Sequence, residues 1–356
     1  MPIIKHFREK RIPLKTGTKK GIRNSDTAEI IYLSPLHDGP PHGGVKVIYN
    51  HSEIINSLKI KNIRSSVFHP VRKRFSQKTE ADPDVKATIK RDPIIDKKND
   101  LVIIPEFWAE EYSRQCLGKG IRYALFIQNG YINSYKSQDA MNNAYDNAEL
   151  ILTISAETTE CTTLAFPRCK DKILQLSCMI NADRFSYNGQ EKQNIITYMP
   201  RKLGNHARLV RFFLEQQLPS HWKIFPIENR TEAEVAEIMK RSKIFLSFSE
   251  LEGLGLPPIE AALSGNKIIG YHGEGGKEYW KEPIFTAIES GNIRSFVEQI
   301  LIEIKKYDDS VGYQPNRQYI DSLADHYSTE RAVNTIITML ERTSNSGTTP
   351  SKPTPQ

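Results

Sequence analysis

The chain has 356 residues, 38% hydrophobic and 26% charged, with four cysteines and a formal charge of +7. This length allows two domains of ordinary size with a sizeable core in each. The absence of any run of 18 apolar residues and of an apolar signal core leads us to expect neither a membrane-spanning helix nor secretion. Residues 1–23 hold eight Lys/Arg against Glu9, which leaves 41 charges of each sign in the rest. A body with no net basic excess does not read as a nucleic-acid binder. Residues 1–25 are expected as a flexible basic tail, and anionic lipid on the inner face of a membrane is the partner such a tail would attract. Cys116, Cys161, Cys169 and Cys178 have neither metal nor redox spacing and are expected as reduced thiols in a cytoplasmic protein.

The pattern predicts a first strand over 28–34, followed by a loop with His37, His42, Gly43 and Gly44, and then a helix with apolar positions at Val45, Ile48, Ile54, Ile55 and Leu58. A second strand covers 62–68. Residues 70–99 turn polar and proline-spotted, as in a long insertion, and Asp82-Pro83-Asp84 within it reads as solvated loop because no apolar strand leads into it. Strands follow at 101–105, 123–128, 150–155 and 172–176, separated by stretches able to form helices; repeated βα units of this kind build a parallel sheet. Gln128-Asn129-Gly130 closes one strand at the edge where such sheets bind ligands, and Asn129 is either a ligand contact or a turn residue. A second sheet opens at 194–199 and runs into Pro200-Arg201-Lys202, two cations able to neutralise a diphosphate. A helix at 208–217, a strand at 222–227 and a helix opened by the capping box Thr231-x-x-Glu234 come next.

The stretch 243–279 carries the most information. Lys243 to Phe248 reads as a buried strand, Gly253 and Gly255 permit a close turn, Pro257-Pro258 starts a helix, and Gly265-Asn266 ends it before a strand at 267–271. A helix leaving a glycine loop aims N–H groups and a positive dipole end at one point, which suits phosphate. Glu252 and Glu260 flank that point and suit hydroxyl groups. A ligand with phosphate in its middle and hydroxylated rings at both ends is a nucleotide sugar. A second glycine loop, His272 to Glu278, faces the same edge; Glu278 either positions that loop or caps a helix. Residues 292–306 and 326–341 read as helices, and the segment from Thr343 is too polar to build a core.

Glu252-Gly253-Leu254-Gly255-Leu256-Pro257-Pro258-Ile259-Glu260, followed by Ala261, resembles the Glu-seven-Glu signature of glycosyltransferase family 4, the "group 1" retaining glycosyltransferases of the GT-B fold. The Gly43-Gly44 pair, the second glycine loop with Gly275 and Gly276, and Cys178 to Phe185 as interdomain segment are similar to the corresponding parts of that family. The resemblance implies an α/β, GT-B-like fold with two Rossmann-like domains whose parallel sheets face a central cleft. The expected division is an acceptor-side domain over 26–190, a nucleotide-sugar domain over 191–325, a helix over 326–342 crossing back to the first domain, and a disordered tail over 343–356. Arg201, Lys202 and Glu252 would be the catalytic residues. Gly43, Gly44, Gly253, Leu254, Gly255, Leu256 and Glu260 would bind the donor, with Glu260 on the ribose. Asn129, Gly275 and Gly276 are candidate sugar or acceptor contacts. Family members often have a histidine near Asn129, and this chain has none there. The implied activity is a retaining, metal-independent hexosyl transfer, without a cofactor, from a nucleotide sugar to a glycan or polyprenyl-linked acceptor in surface polysaccharide or lipopolysaccharide assembly. The alternatives are a non-catalytic GT-B-like binding subunit and a nucleotide-sugar 2-epimerase.

Overall fold

The structure, a computed structural model, describes residues 11–17, 27–36, 43–71, 86–132 and 137–345. The loop with His37 and His42, the Asp82-Pro83-Asp84 segment, most of the basic tail and residues 346–356 lie outside the described residues. Among the described residues no helix is long and apolar enough to cross a membrane.

The chain divides into two compact units. The first takes residues up to Ile154, Thr159–Ser177 and those from Ala332 onward; the second takes Ser155–Thr158 and Cys178–Arg331. The chain therefore passes into the second unit at Cys178, earlier than the expected boundary near 190, because 178–190 makes its contacts there, as in the bond from Ile180 N–H to Tyr327 O.

In the first unit, strands β1 (Lys15–Thr16), β2 (Ala28–Leu33), β3 (Ile63–Phe68), β4 (Ile89–Lys90), β5 (Ile94–Ile95), β6 (Leu101–Pro105), β7 (Arg122–Ile127), β8 (Ile151–Thr153) and β9 (Ile173–Gln175) alternate with helices α1 (Gly43–Ser57), α2 (Ala109–Lys119), α3 (Gln138–Asp146) and α4 (Ala156–Ala165), the first three residues of α4 belonging to the second unit. Seven of these strands form one sheet in the order β4-β3-β2-β6-β7-β8-β9, and each pair is parallel. Such strands are covered on both faces, so they read as continuous apolar runs. In β6 all five residues are buried. Ile31, Leu33, Val102, Ile104, Leu125 and Ile127 point to one side, where Trp108, Tyr112 and Met141 cover them; each fully buried side chain of this size contributes roughly 1.5–3 kcal/mol. The polar stretch 70–99 was expected as an insertion, and its described part supplies only the two short strands β4 and β5.

The second unit contains β10 (Gln193–Tyr198), α5 (Gly204–Glu215), β11 (Lys223–Pro226), α6 (Glu232–Arg241), β12 (Ser242–Glu252), α7 (Leu256–Leu263), β13 (Lys267–Glu274), β14 (Phe285–Ala287), α8 (Ile293–Asp308) and α9 (Arg317–His326). Its sheet is parallel throughout, in the order β11-β10-β12-β13-β14. Helix α6 starts with both bonds of the expected capping box, Thr231 with Glu234. The final helix, α10 (Thr329–Asn345), buries Ala332, Ile336, Met339 and Leu340, and Arg342 donates to the carbonyls of Asp171 and Ile173 beside β9 in the first unit. The 326–341 expectation thus falls mainly on α10. Helix α9 was not expected, since its polar sequence buries only Ile320 and Leu323.

Lys192 holds the second unit's helix ends. Its ammonium lies within 3.2 Å of four carbonyl oxygens, those of Met239, Lys240, Ser242 and Ser264. These carbonyls close α6 and α7, where a cation meets the negative end of each helix dipole.

Candidate functional site

An open parallel sheet binds ligands outside the carboxyl ends of its strands, at the point where the strand order reverses. In the second unit that point lies between β10 and β12. The chain leaves β10 into Arg201-Lys202 and leaves β12 into the glycine loop, so the residues expected for one site do converge here. Lys202 forms an ion pair with Glu252. Their side chains keep 46% and 17% exposure, so the pair sits at the surface of the edge. Arg201 is exposed and makes no hydrogen bond or ion pair with a described residue. Successive side chains diverge past a strand end, which is why Lys202 meets Glu252 and Arg201 does not.

Strand β12 runs further than its apolar pattern suggests, through the polar residues Ser249 to Glu252, because β13 pairs with it to the end. Ser249 lies opposite His272 and Glu252 opposite Glu274. The expected loop at His272 to Glu274 is therefore the last part of β13. Gly275 explains how the two carboxyl ends approach: a Cβ there would lie 2.2 Å from the Gly253 carbonyl oxygen. Gly275 serves contact between two backbones, a reason the sequence did not disclose, whereas a Cβ on Gly276 would meet the side chains of Tyr279 and His272.

Helix α7 starts at Leu256, one residue before the expected Pro257, with Gly255 as N-cap at φ +81°. The two prolines then occupy N2 and N3, which removes two of the N–H groups that a helix start normally leaves open. What remains is a narrow set of donors: among the described residues, the N–H groups of Leu254, Gly255 and Leu256 have no acceptor. Gly253 and Leu254 are buried, and Glu260, on the second turn of α7, is 7% exposed.

Two residues behind the loop were not singled out as site residues or were left with two readings. Tyr279 is buried, and its hydroxyl lies 2.8 Å from Gly255 O and 3.1 Å from Leu254 O. Burial holds that hydroxyl well above the usual tyrosine range, so it stays a donor. Glu278 takes the capping role: its carboxylate accepts from the N–H of Ala156, the first residue of α4, and also from the Tyr327 hydroxyl. His272 accepts the Glu274 N–H at Nδ1, and burial lowers its pKa, which leaves a neutral ring with its proton on Nε2. The available signal for both Glu278 and Tyr279 was their place two and three residues after the Gly275-Gly276 pair.

In the first unit the strand order reverses between β2 and β6. Gly43 and Gly44 open α1 there and are exposed. A Cβ on Gly44 would lie 2.2 Å from Oε1 of Gln128, whose Nε2 donates to Gly44 O at 3.1 Å. Asn129 turns its side-chain oxygen onto the Tyr131 N–H at 3.0 Å, which is the turn role. Beneath both lies Glu106, 2% exposed at the end of β6, which accepts from the Gln128 N–H. Burial pushes its carboxyl up to about 7, against the pull of the backbone N–H groups around it. Sequence reasoning missed Glu106, since Pro-Glu after a strand ordinarily reads as a solvated turn.

No protein-family profile matches the chain. Over 47 residues it is 47% identical to the alpha-1,6-glucosyltransferase of Actinobacillus pleuropneumoniae serotype 7, a match spanning 13% of this chain and 14% of that relative's length. Solved structures match far more of it. HepE of Anabaena, in complex with UDP-glucose, superposes with a TM-score of 0.67 at 11% identity, covering 88% of this chain and 99% of that one. Sucrose-phosphate synthase of Thermosynechococcus elongatus gives 0.67 at 10%, covering 90% and 100%. A glycosyltransferase of Rickettsia africae gives 0.63 at 13%, covering 90% and 100%. Sequence identity this low speaks for fold and not for activity. The chain has the fold of these proteins, the α/β GT-B fold of glycosyltransferases built on parallel sheets.

Proposed function

We propose that the protein is a retaining glycosyltransferase that takes its sugar from a nucleotide-sugar donor held by the second unit. The observation that carries the reading is the convergence, at one strand-order reversal, of open N–H groups at Leu254–Leu256, the Lys202–Glu252 pair and the buried Glu260. The likeness in fold to a protein solved with UDP-glucose supports the same ligand class.

In this reading Glu260 accepts from the ribose hydroxyls. The diphosphate lies on the N–H groups of Leu254 to Leu256 and takes Lys202 as its cation, with Arg201 beside it. Glu252, released from Lys202, then accepts from a hydroxyl of the donor sugar. Breaking the bond from anomeric carbon to phosphate oxygen leaves positive charge on the ring and negative charge on the departing diphosphate. The lysine, the arginine, the N–H groups and the α7 dipole stabilise that negative charge as it grows. The acceptor hydroxyl attacks from the face the diphosphate leaves, its oxygen forms the new bond to the anomeric carbon, and its proton passes to the departing phosphate oxygen. No side-chain nucleophile, metal or cofactor is needed in this scheme. A glycan or polyprenyl-linked acceptor, in polysaccharide or lipopolysaccharide assembly at the inner membrane face, completes the proposal. Proton NMR of the product tests the stereochemistry: a retained anomeric configuration agrees, and an inverted linkage contradicts the mechanism.

A further inference from the structure

We infer that Tyr279 is a positioning residue that sets the direction of the phosphate-binding N–H groups. The inference rests on the donor-site reading above and adds to it a part that touches no substrate. Gly255 sits at φ +81°, and a glycine peptide turns over more readily than any other because no Cβ opposes either orientation. Something must therefore choose the orientation. The Tyr279 hydroxyl has one proton and is placed between two acceptors, Gly255 O at 2.8 Å and Leu254 O at 3.1 Å. A peptide plane whose carbonyl is held from behind points its N–H the other way. Fixing the carbonyls of Leu254 and Gly255 thus turns the N–H groups of Gly255 and Leu256 away from the tyrosine.

The ring is itself held. It is packed edge-on to Tyr327 at 6.1 Å between centroids, and Tyr327 donates to Glu278, which caps α4 at Ala156. The hydroxyl lies 3.1 Å from where a Cβ on either Gly255 or Gly276 would stand. Both glycine loops therefore close on this one oxygen, which cannot shift without moving them.

The test is Y279F, which keeps the ring and removes the O–H. Calorimetric titration with UDP, GDP and dTDP, and with the matching monophosphates, is run on the wild type and the variant. For the diphosphate that the wild type binds, affinity falls about tenfold in Y279F, the loss expected from one misdirected N–H to phosphate bond. Affinity for the monophosphate changes less than about twofold, and the unfolding temperature shifts by only a few degrees. Equal diphosphate affinity in both proteins overturns the inference while leaving the donor site standing. A parallel loss for mono- and diphosphate also overturns it, since that is general damage. A wild type that binds none of the six overturns the donor-site reading and this inference together. Hydrogen exchange in the wild type gives a reading free of any folding defect: the diphosphate slows exchange at Leu254–Leu256, and unchanged exchange on saturation contradicts the role.

Discussion

Both units place glycines at the start of a helix that follows a parallel strand, Gly43-Gly44 in the first and Gly253 to Gly255 in the second, and the two pairs do different work. At Gly44 the missing side chain makes room for the amide of Gln128, and the acid nearby, Glu106, is buried and turned onto backbone. At Gly255 the missing side chain permits a left-handed backbone, three N–H groups stay open, and the acid nearby, Glu252, is matched by a lysine at the surface of the edge. A glycine turn on a Rossmann-like sheet can thus make room for a side chain at one edge and permit a left-handed backbone at the other.

Substitutions can separate the two edges. The largest effect is expected for Glu260→Ala, which removes the carboxylate proposed for the ribose. Two hydrogen bonds to a charged group are worth roughly 3 kcal/mol together, so donor affinity falls about a hundredfold or more by titration. Lys202→Ala removes the cation from the departing phosphate and leaves Glu252 beside it unpaired; single-turnover rate falls about a hundredfold. Arg201→Ala, without a partner to strand, costs about tenfold. Equal losses would say that the adjacent cations act as one patch.

The first unit's acid gives a stability effect. Glu106 is raised from 4.5 to about 7, so the folded state holds a proton there that the unfolded state has released. Its contribution is complete below pH 4.5 and is lost as pH rises through 7, by about 3 kcal/mol in all. Denaturant titrations from pH 5 to 8 are expected to show that decline in the wild type and not in Glu106→Gln, which is uncharged throughout. A decline of the same size in the variant would place its cause elsewhere. The smallest effects come from the glycines. Gly255→Ala forces a side chain into the left-handed region and costs about 1–2 kcal/mol in chemical denaturation. Gly44→Ala needs only the far end of Gln128 to move and costs less than about 1 kcal/mol. The reverse order would refute the difference drawn between the two turns.

The parts of this arrangement that the sequence made legible are local ones. The α6 capping box, the apolar run of β12 and the nine residues from Glu252 to Glu260 are readable because each feature lies within one element or one turn. What was not legible depends on partners far along the chain. The continuation of β12 through polar residues needs β13 opposite it and Gly275 to let the backbones meet. The burial of Glu106 depends on a turn 22 residues later, and Tyr279 reaches back 24 residues to the glycine loop. The order of Arg201 and Lys202 could not be settled from adjacency, because the direction of each side chain past the end of β10 decides which one meets Glu252. The turn bond from the Tyr131 N–H to Asn129 likewise depends on how the chain bends after β7.

The most direct measurement is binding and slow hydrolysis of UDP-, GDP- and dTDP-sugars by the wild type and Glu260→Ala, since it needs no acceptor. The account predicts that the wild type binds at least one donor and releases its nucleotide slowly to water, while the variant, folded to the same extent, does neither. A folded wild type that binds none of them, or a variant that binds as tightly as the wild type, would contradict the assignment of the β10–β12 edge as the donor site.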